Sequence, residues 1–279
     1  MRFFASFTEA HKLLEQDFLQ RAYLVHTDKW QALQVSHKPE MAMRELFSVS
    51  FTVPTGHREE ISYWQKDILP NLPFADEHFK ERISGFGSNP GEAWKIWPWG
   101  NAADSHRTES GRFTHTYQER FWPNNTEDLS ANPKGIRYRY GDYDDLISHL
   151  ASDPLSRQAF LPIWYPEDLA CPGRKPCTLG YHFFLRHDYF HLTYYIRSCD
   201  FVRHWRDDCY LAIRLLLHTL DQLRRTDSRW ESVKPGVFVM HIVSLHMFVN
   251  DFTKIQVANE KTKISIKPPG IGTGSREGR

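Results

Sequence analysis

Apolar positions along the chain recur with two different periods. Over residues 6–24 they return every three or four residues, which predicts an amphipathic helix with Thr8 as its N-cap. A second helix is predicted over residues 142–151 and is ended by Pro154. The strongest helical pattern covers residues 207–225. One face of that helix carries Tyr210, Ile213, Leu216, Leu217 and Leu220.

Short runs of β-branched and aromatic residues predict strands. The His187-Asp188 pair between two of these runs predicts a hairpin. Residues 45–54 also have strand composition, but a helix beginning within residues 41–47 is an open alternative, because periodicity does not decide for short apolar runs. The other predicted strands are residues 158–165, 177–185, 190–196 and 237–249.

Neither an internal repeat nor a linker interrupts this order of elements. Residues 84–135 are rich in Gly, Pro, Asn and Trp and predict long loops around short elements. Residues 266–279 are rich in Gly and predict a flexible C-terminal tail. We therefore expect one α+β domain over residues 1–265, in which helices pack on a mixed β-sheet.

Composition places the chain among proteins with a substantial core. It has 279 residues, of which 41% are hydrophobic and 14% aromatic, so disorder is not expected. The 35 Lys and Arg residues nearly balance 34 Asp and Glu residues, for a formal net charge of +1. That balance argues against a nucleic-acid partner, which would require a basic excess, but it is compatible with a local cationic pocket for one phosphate.

The cysteines and the hydropathy indicate a cellular compartment. Cys171, Cys177, Cys199 and Cys209 form no CxxC pair, so no zinc ribbon or other metal site is predicted. The N-terminus has no sustained apolar run, and the longest apolar stretch, residues 237–249, is too short to span a membrane. We expect a cytoplasmic protein with reduced thiols and no membrane partner.

Three local features mark a site. The Pro176-Cys177 pair begins a predicted strand, residues 197–200 (Arg-Ser-Cys-Asp) end a later one, and Asp208 opens the long helix. In order and spacing the chain resembles the thymidylate synthase family, well over residues 140–250 and weakly before them. The resemblance implies a thymidylate synthase-like fold whose sheet forms a homodimer interface. The segments that carry the resemblance are residues 44–46, 117–120, 153–157, 164–168, 175–177, 195–200 and 244–250.

The resemblance assigns the catalytic groups. Cys177 matches the nucleophile that adds to C6 of a pyrimidine nucleotide and so makes C5 a carbon nucleophile. The neighbouring Arg174 and Lys175 favour its thiolate form. Glu45 matches the general acid and base, and Tyr117 matches the tyrosine that assists removal of the C5 proton. The other three cysteines are expected to be structural.

Phosphate recognition follows from the same resemblance. Arg197 and Ser198 match the phosphate-binding pair, and Arg157 matches an arginine that reaches across the dimer interface into the partner's site. The next arginine of the family is Gln158 here. The family's N-terminal phosphate loop is not visible in the sequence, and Lys29 lies near its place.

The resemblance also assigns the sugar and folate sides. His246 matches the ribose-binding histidine, while Phe248 stands where the family has a tyrosine that bonds the sugar 3′-hydroxyl. Trp97, Asp200 and Trp205 are expected on the side of the folate. The implied co-substrate is 5,10-methylenetetrahydrofolate, without a metal.

Asp208 is the most informative departure, because thymidylate synthases carry Asn at that position. An ionised carboxylate only accepts hydrogen bonds, so it repels uracil O4 and suits the cytosine 4-amino group. The same exchange is found in the deoxycytidylate hydroxymethylases of the superfamily. Two alternatives remain open: Asp208 is a helix-capping residue without a ligand, or a one-residue slip gives its role to Asp207.

The sequence therefore predicts a cytidylate 5-hydroxymethyltransferase. Its substrate would be CMP, as in the CMP hydroxymethylases of nucleoside-antibiotic pathways, or dCMP, as in the phage enzymes. The altered loop at residues 201–206 fits an enzyme that admits water instead of completing hydride transfer. Remaining alternatives are a uridylate or deoxyuridylate hydroxymethylase or methylase, including thymidylate synthase itself, and a non-catalytic relative that binds nucleotide or RNA.

Overall fold

A mixed β-sheet of seven strands forms the centre of the molecule. The computed structural model describes residues 1–30, 33–100, 104, 107–126, 142–170 and 173–265, so Cys171 and the predicted tail at 266–279 lie outside the described residues. The strands in chain order are β1 (Arg2–Phe3), β2 (Tyr23–Val25), β3 (Lys29–Trp30), β4 (Leu33–Gln34), β5 (Met43–Pro54), β6 (Phe160–Pro162), β7 (Thr178–Arg186), β8 (Tyr189–Asp200) and β9 (Lys234–Phe248).

The order across the sheet is β1-β5-β9-β8-β7-β6, with β2 also paired to β5, while β3 and β4 form a separate hairpin. The pairs β1–β5 and β8–β9 are parallel, and the other pairs of the large sheet are antiparallel. The helices are α1 (Phe7–Arg21), α2 (Ile61–Ile68), α3 (Phe74–Arg82), α4 (Tyr117–Phe121), α5 (Tyr143–Ser152), α6 (Trp205–Thr226) and α7 (Val249–Ser265).

The first predicted helix is confirmed as α1, but its N-cap is Ser6 and not Thr8. The Ser6 hydroxyl accepts a hydrogen bond from the Glu9 backbone N–H at 3.1 Å, as an N-cap side chain does. The Thr8 hydroxyl instead donates to the backbone carbonyl of Asp67 at the end of α2. The apolar face of α1 is buried, as its spacing predicts.

Strand β5 resolves the alternative that the sequence leaves open for its segment. Residues Met43–Pro54 are one strand of 12 residues, paired with β9 from Met43 opposite Phe248 to Pro54 opposite Val237. The hairpin between β7 and β8 is also confirmed, with His187 in the left-handed region at φ 52°. Pairing across the whole sheet thus decides an assignment that local composition could not.

Four of the helices given above have no helix prediction from the sequence, namely α2, α3, α4 and α7. In α3 the buried face carries His78 and Arg82 besides Phe74, Ala75 and Phe79. Two polar side chains on the buried face hide the apolar period that would have revealed the helix. The same two residues line the cavity described below.

The predicted long helix is confirmed as α6, but its first residue, Trp205, does not lie where the sequence places it. Trp205 is fully buried, and the prediction that it lies on the folate side is wrong. It shares a face of α6 with the buried Cys209, Ala212 and Leu216, since helix periodicity sets them on one side. Its ring contacts those of Phe7, His11, Phe51 and Phe201 in the core.

The other face of the sheet is apolar and open. Phe47, Val243 and Phe160 point out from it with 70%, 47% and 42% of their surface exposed.

Within the described residues, no helix is long and apolar enough to cross a bilayer.

Replacing Trp205 by Ala is expected to lower the free energy of unfolding by about 3–5 kcal/mol, because a large buried ring is lost. Urea unfolding followed by circular dichroism measures the change. Trp99→Ala, at a half-buried position on the cavity wall, serves as the control and should cost clearly less. Equal losses in the two variants would contradict the placement of Trp205 in the core.

Candidate active site

A cavity of about 930 Å³ lies where strands β5, β8 and β9 meet the first turn of α6. Because β8 and β9 are parallel and β5 is antiparallel to β9, the beginning of β5 and the ends of the other two strands lie together. In this register His246 is opposite both Glu45 and Asp200. The predicted residues that line the cavity are Lys29, Glu45, Trp97, Tyr117, Cys177, Arg197, Ser198, Asp200, Asp208, His246 and Phe248.

Cys177 and Arg197 are held together at one end of the cavity. The Arg197 guanidinium donates to the backbone carbonyls of Pro176 and Lys175 at 2.8 and 3.1 Å, and its Nη2 is 3.9 Å from the Cys177 Sγ. One cation therefore fixes the segment that carries the thiol and also faces the cavity. The guanidinium is thereby held beside the thiol at this end of the cavity.

Tyr117 begins α4 and reaches the same end. Its hydroxyl accepts a hydrogen bond from the Thr178 backbone N–H at 3.4 Å, one residue after the thiol. Burial, reinforced by the charges of Cys177 and Asp208, raises the pKa of Tyr117 to about 12. The hydroxyl therefore stays protonated at neutral pH.

Glu45 and His246 form a second polar group across β5 and β9. The Ser244 hydroxyl donates a short hydrogen bond to the Glu45 carboxylate. Burial lowers the pKa of His246, so its imidazole is neutral. The site thus presents a carboxylate, a hydroxyl and a neutral imidazole on neighbouring strands.

Asp207 and Asp208 both line the cavity but have different surroundings. The Asp207 carboxylate accepts hydrogen bonds from the backbone N–H and the side-chain amide of Asn71, at 2.8 and 2.9 Å. The Asp208 carboxylate accepts from the Cys199 thiol at 3.4 Å. Asp207 is therefore engaged in the fold, while Asp208 retains capacity to accept from a ligand.

Aromatic rings form one wall of the cavity. Trp97 packs edge-on against Trp94 and Trp99 at 5.4 and 5.6 Å, and His204 stacks on it at 5.1 Å with an angle of 20°. The indole N–H groups of Trp94 and Trp97 are buried and have no partner within the described residues. A flat ring of a ligand fits such a wall.

Asp200 lies at the cavity but is already paired. Its carboxylate accepts from the backbone N–H groups of Val202 and Arg203 at 2.9 and 3.0 Å, and from the Arg203 guanidinium at 2.9 Å. Arg203 also pairs with Asp251 at 2.7 Å and covers the ring of Phe248 at 4.7 Å. Arg203 therefore contacts Asp200 and Phe248, which the resemblance assigns to the folate side and the sugar side.

The two other predicted phosphate-binding cations, Lys29 and Arg157, differ in their position relative to the cavity. Lys29 lines the cavity from the β3–β4 hairpin. Arg157 is exposed and outside the cavity, and its carbonyl accepts from the imidazole of His182 on the open side of the sheet.

Within the described residues, no group of three or more His, Cys, Asp or Glu side chains could hold a metal ion.

Sequence reasoning missed several cavity residues, above all Arg82, His78 and Trp94. The i, i+4 spacing of His78 and Arg82 was the signal for the first two, since it places them on one helix face. Trp94 and Trp97 are likewise three residues apart. None of these three residues stands out by composition alone.

A family model described as thymidylate synthase matches residues 59–269. The chain belongs to the thymidylate synthase family. The fold is similar to that of thermostable thymidylate synthase A from Bacillus subtilis, with a TM-score of 0.63 and 14% identity over 91% of this chain and 84% of that one. The expected thymidylate synthase-like α+β fold is thereby confirmed.

Two curated relatives are more distant in coverage. A thymidylate synthase from Mycoplasma genitalium is 22% identical over 126 residues, and a putative thymidylate synthase from Methanococcoides burtonii is 27% identical over 136 residues. The matches cover 45% of this chain in both cases and 40% and 59% of the two relatives. The chain thus spans about half the length of the curated relatives it matches.

Asp207→Ala is expected to lower the free energy of unfolding by about 1–3 kcal/mol, because two Asn71 donors lose their acceptor in a buried position. Asp207→Asn is the matched control: it keeps one acceptor oxygen and should lose less. Urea unfolding at one pH measures both. No loss in Asp207→Ala would contradict a structural engagement of this carboxylate.

Proposed function

We propose that the chain is a cytidylate 5-hydroxymethyltransferase that uses 5,10-methylenetetrahydrofolate and water. The observation that carries this proposal is the Asp208 carboxylate, which lines the cavity together with Cys177 and Tyr117 and whose hydrogen-bond partner is a thiol. An ionised carboxylate accepts from the cytosine 4-amino group. Family membership supports a folate-dependent one-carbon transferase, and Asp208 supports the cytidylate base.

In the proposed reaction Cys177 adds through its sulfur to C6, and the C5=C6 electron pair makes C5 nucleophilic. C5 bonds to the methylene carbon of the co-substrate. Loss of the C5 proton and cleavage of the methylene–nitrogen bond leave an exocyclic methylene on the base and release tetrahydrofolate unoxidised. Water adds to that methylene, and Cys177 is expelled. The balance is cytidylate, methylenetetrahydrofolate and water giving 5-hydroxymethylcytidylate and tetrahydrofolate.

The remaining predicted residues have roles that suit their surroundings. Tyr117, protonated at neutral pH, orients the water that takes the C5 proton. Glu45, paired with Ser244, exchanges protons with the base. Arg197, Ser198 and Lys29 receive the phosphate.

The sugar is received by His246 and Phe248. Phe248 offers no hydroxyl, and its ring is covered by Arg203 at 4.7 Å and contacted by Trp30 at 5.8 Å. The sugar side therefore departs from the pattern of the family, and we propose CMP ahead of dCMP as the substrate. A dCMP-specific enzyme is the nearest variant of the proposal.

The aromatic wall is proposed to hold the folate. Trp97 and its neighbours offer a flat apolar surface. Asp200 can contact the folate only if Arg203 gives up one of its hydrogen bonds to the Asp200 carboxylate. The co-substrate supplies the carbon, while the chain binds and orients both substrates and admits the water that completes the reaction.

A uridylate or deoxyuridylate methylase or hydroxymethylase is the second candidate. Burial raises the pKa of Asp208 to about 7, so part of the carboxyl is protonated at neutral pH. A protonated carboxyl can donate a hydrogen bond to uracil O4, as the amide of Asn does. The curated relatives are named as thymidylate synthases.

We further propose a homodimer formed through the open sheet face. That face carries the exposed Phe47, Val243 and Phe160, and stacked rings of Tyr195 and His241 at 5.1 Å. An exposed apolar sheet face of this kind marks a protein interface. Arg157 lies near it, which supports the expectation that it enters the partner's site.

Purified protein with methylenetetrahydrofolate is expected to release tritium from C5-labelled CMP or dCMP and more slowly, if at all, from UMP and dUMP. Release follows only if C5 loses its proton, and mass spectrometry of the product separates hydroxymethylation from methylation. Cys177→Ala is the control and should abolish release, because the thiolate addition is lost. Absence of release from both cytidine nucleotides would refute the proposal.

Asp208→Asn is expected to move the ratio of kcat/KM for UMP against CMP upward by at least about tenfold, because an amide both donates and accepts. The same tritium assay measures it. Asp207→Asn, next along the chain, should leave the ratio unchanged. An unchanged ratio in Asp208→Asn would remove the basis for a cytidylate substrate.

Arg157→Ala and Cys177→Ala subunits, each inactive alone, are expected to recover activity when co-expressed. In a mixed dimer one site combines an intact Cys177 with an intact Arg157, so about a quarter of all sites should be active at random assembly. Arg186→Ala in place of Arg157→Ala is the control, because it should remain active alone. No recovery would contradict a shared site.

A further inference from the structure

Arg203 lies in the turn between β8 and α6 and lines the cavity beside the proposed sugar site. Its guanidinium stands 4.7 Å over the ring of Phe248. The turn is joined to β9, which carries both sugar-site residues, because the Phe201 backbone N–H donates to the His246 carbonyl at 2.7 Å. Phe248 has no hydroxyl, so the guanidinium supplies hydrogen-bond donors at this position.

Two carboxylates hold this guanidinium by one of its three nitrogens. The Nη1 of Arg203 is 2.9 Å from Asp200 Oδ2 and 2.7 Å from Asp251 Oδ2. The Arg203 backbone N–H donates to the other oxygen of Asp200 at 3.0 Å, so the same carboxylate fixes main chain and side chain. Nε and Nη2 of Arg203 have no hydrogen-bond partner within the described residues. Their N–H groups form one edge of the planar guanidinium, and such an edge can bind two neighbouring oxygens.

The charge of Arg203 is already balanced, and this balance decides which kind of ligand suits the free edge. Both carboxylate partners are largely buried, with 7% of the Asp200 side chain and 12% of the Asp251 side chain exposed. The exposed Lys254 reaches only the other oxygen of Asp251, at 3.4 Å. Arg197, in contrast, donates to backbone carbonyls and has no carboxylate partner within the described residues, so its charge is available for a phosphate. Arg203 is suited to neutral hydroxyl groups.

We infer that Arg203 is a specificity-determining residue that binds the 2′- and 3′-hydroxyls of the nucleotide ribose through its Nε–Nη2 edge. The inference rests on the proposed function, because it requires the sugar to lie at His246 and Phe248. A ribose offers this edge two neighbouring hydroxyls, whereas a 2′-deoxyribose offers one. With a deoxyribonucleotide one N–H group of the edge loses its acceptor, and affinity falls.

Binding to the full chain with the Cys177→Ala substitution tests this without catalysis. CMP, 2′-deoxy-CMP and 3′-deoxy-CMP are titrated separately by calorimetry in the absence of folate. We expect CMP to bind at least about tenfold more tightly than either deoxynucleotide, because each missing hydroxyl removes a hydrogen bond from a charged donor. Arg203→Lys keeps a cation for Asp200 and Asp251 but has no second edge, so it should lower the CMP-to-dCMP affinity ratio to about threefold or less.

Arg214→Lys is the matched control. This arginine of α6 also pairs through Nη1 with a carboxylate, that of Asp76, and covers an aromatic ring, that of Phe79 at 4.5 Å, but it does not line the cavity. It should leave the affinity ratio at the parent value. A ratio in Arg203→Lys as high as in the parent would overturn the inference. If Arg203→Lys fails to fold, the parent decides: equal affinities for all three nucleotides overturn the inference, and weaker binding of both deoxynucleotides supports it.

Titration of UMP separates this inference from the proposed function. If UMP binds more tightly than CMP while Arg203→Lys still lowers the preference for ribose, the cytidylate base is refuted and the role of Arg203 is supported. If CMP binds more tightly than UMP while Arg203→Lys keeps the preference for ribose, the inference is refuted alone. If Arg203→Lys weakens only the binding of methylenetetrahydrofolate, the free edge serves the folate, and the inference is likewise overturned.

Discussion

Hydrogen-bonded pairing of β5 with β9, and of β9 with β8, positions the chemistry of this protein. The register sets Glu45 and Asp200 on either side of His246, although these residues are far apart in the chain. A slip of one residue in either pairing would turn every side chain to the opposite face of the sheet. The apolar residues of the three strands bury one face under α1 and α6, so the packing of the core keeps the polar ends of the strands in place.

A second constraint is the cost of burying charge at the base of the cavity. Arg82 and Asp207 are buried and Asp208 is half-buried, and all three line the cavity. Asp207 is bonded to Asn71, whereas Arg82 and Asp208 have weak or neutral hydrogen-bond partners. Groups that the fold leaves incompletely paired are the ones most able to respond to a ligand.

Much of the architecture could be predicted from the sequence, because α1, α6 and the β7–β8 hairpin have clear periods and turn residues. The order and spacing of short motifs in the resemblance brought Cys177, Arg197, Ser198 and Asp208 together in one predicted site, and all four line the cavity. Helix α3 was not predictable, because His78 and Arg82 interrupt its apolar face for the sake of the cavity. Trp205 was misplaced because sequence proximity to Asp208 does not reveal which side of a helix a residue faces. The signal for its burial was the helical period, since Trp205 shares one face of α6 with Cys209, Ala212 and Leu216.

Arg203 joins parts of the chain that otherwise have separate tasks. It pairs with Asp200 at the end of β8 and with Asp251 in the first turn of α7, and it covers Phe248 between them. The next residue, His204, stacks on Trp97. The C-terminal helix is therefore mechanically linked to the aromatic wall, and a displacement of α7 would be transmitted to that wall through a single side chain.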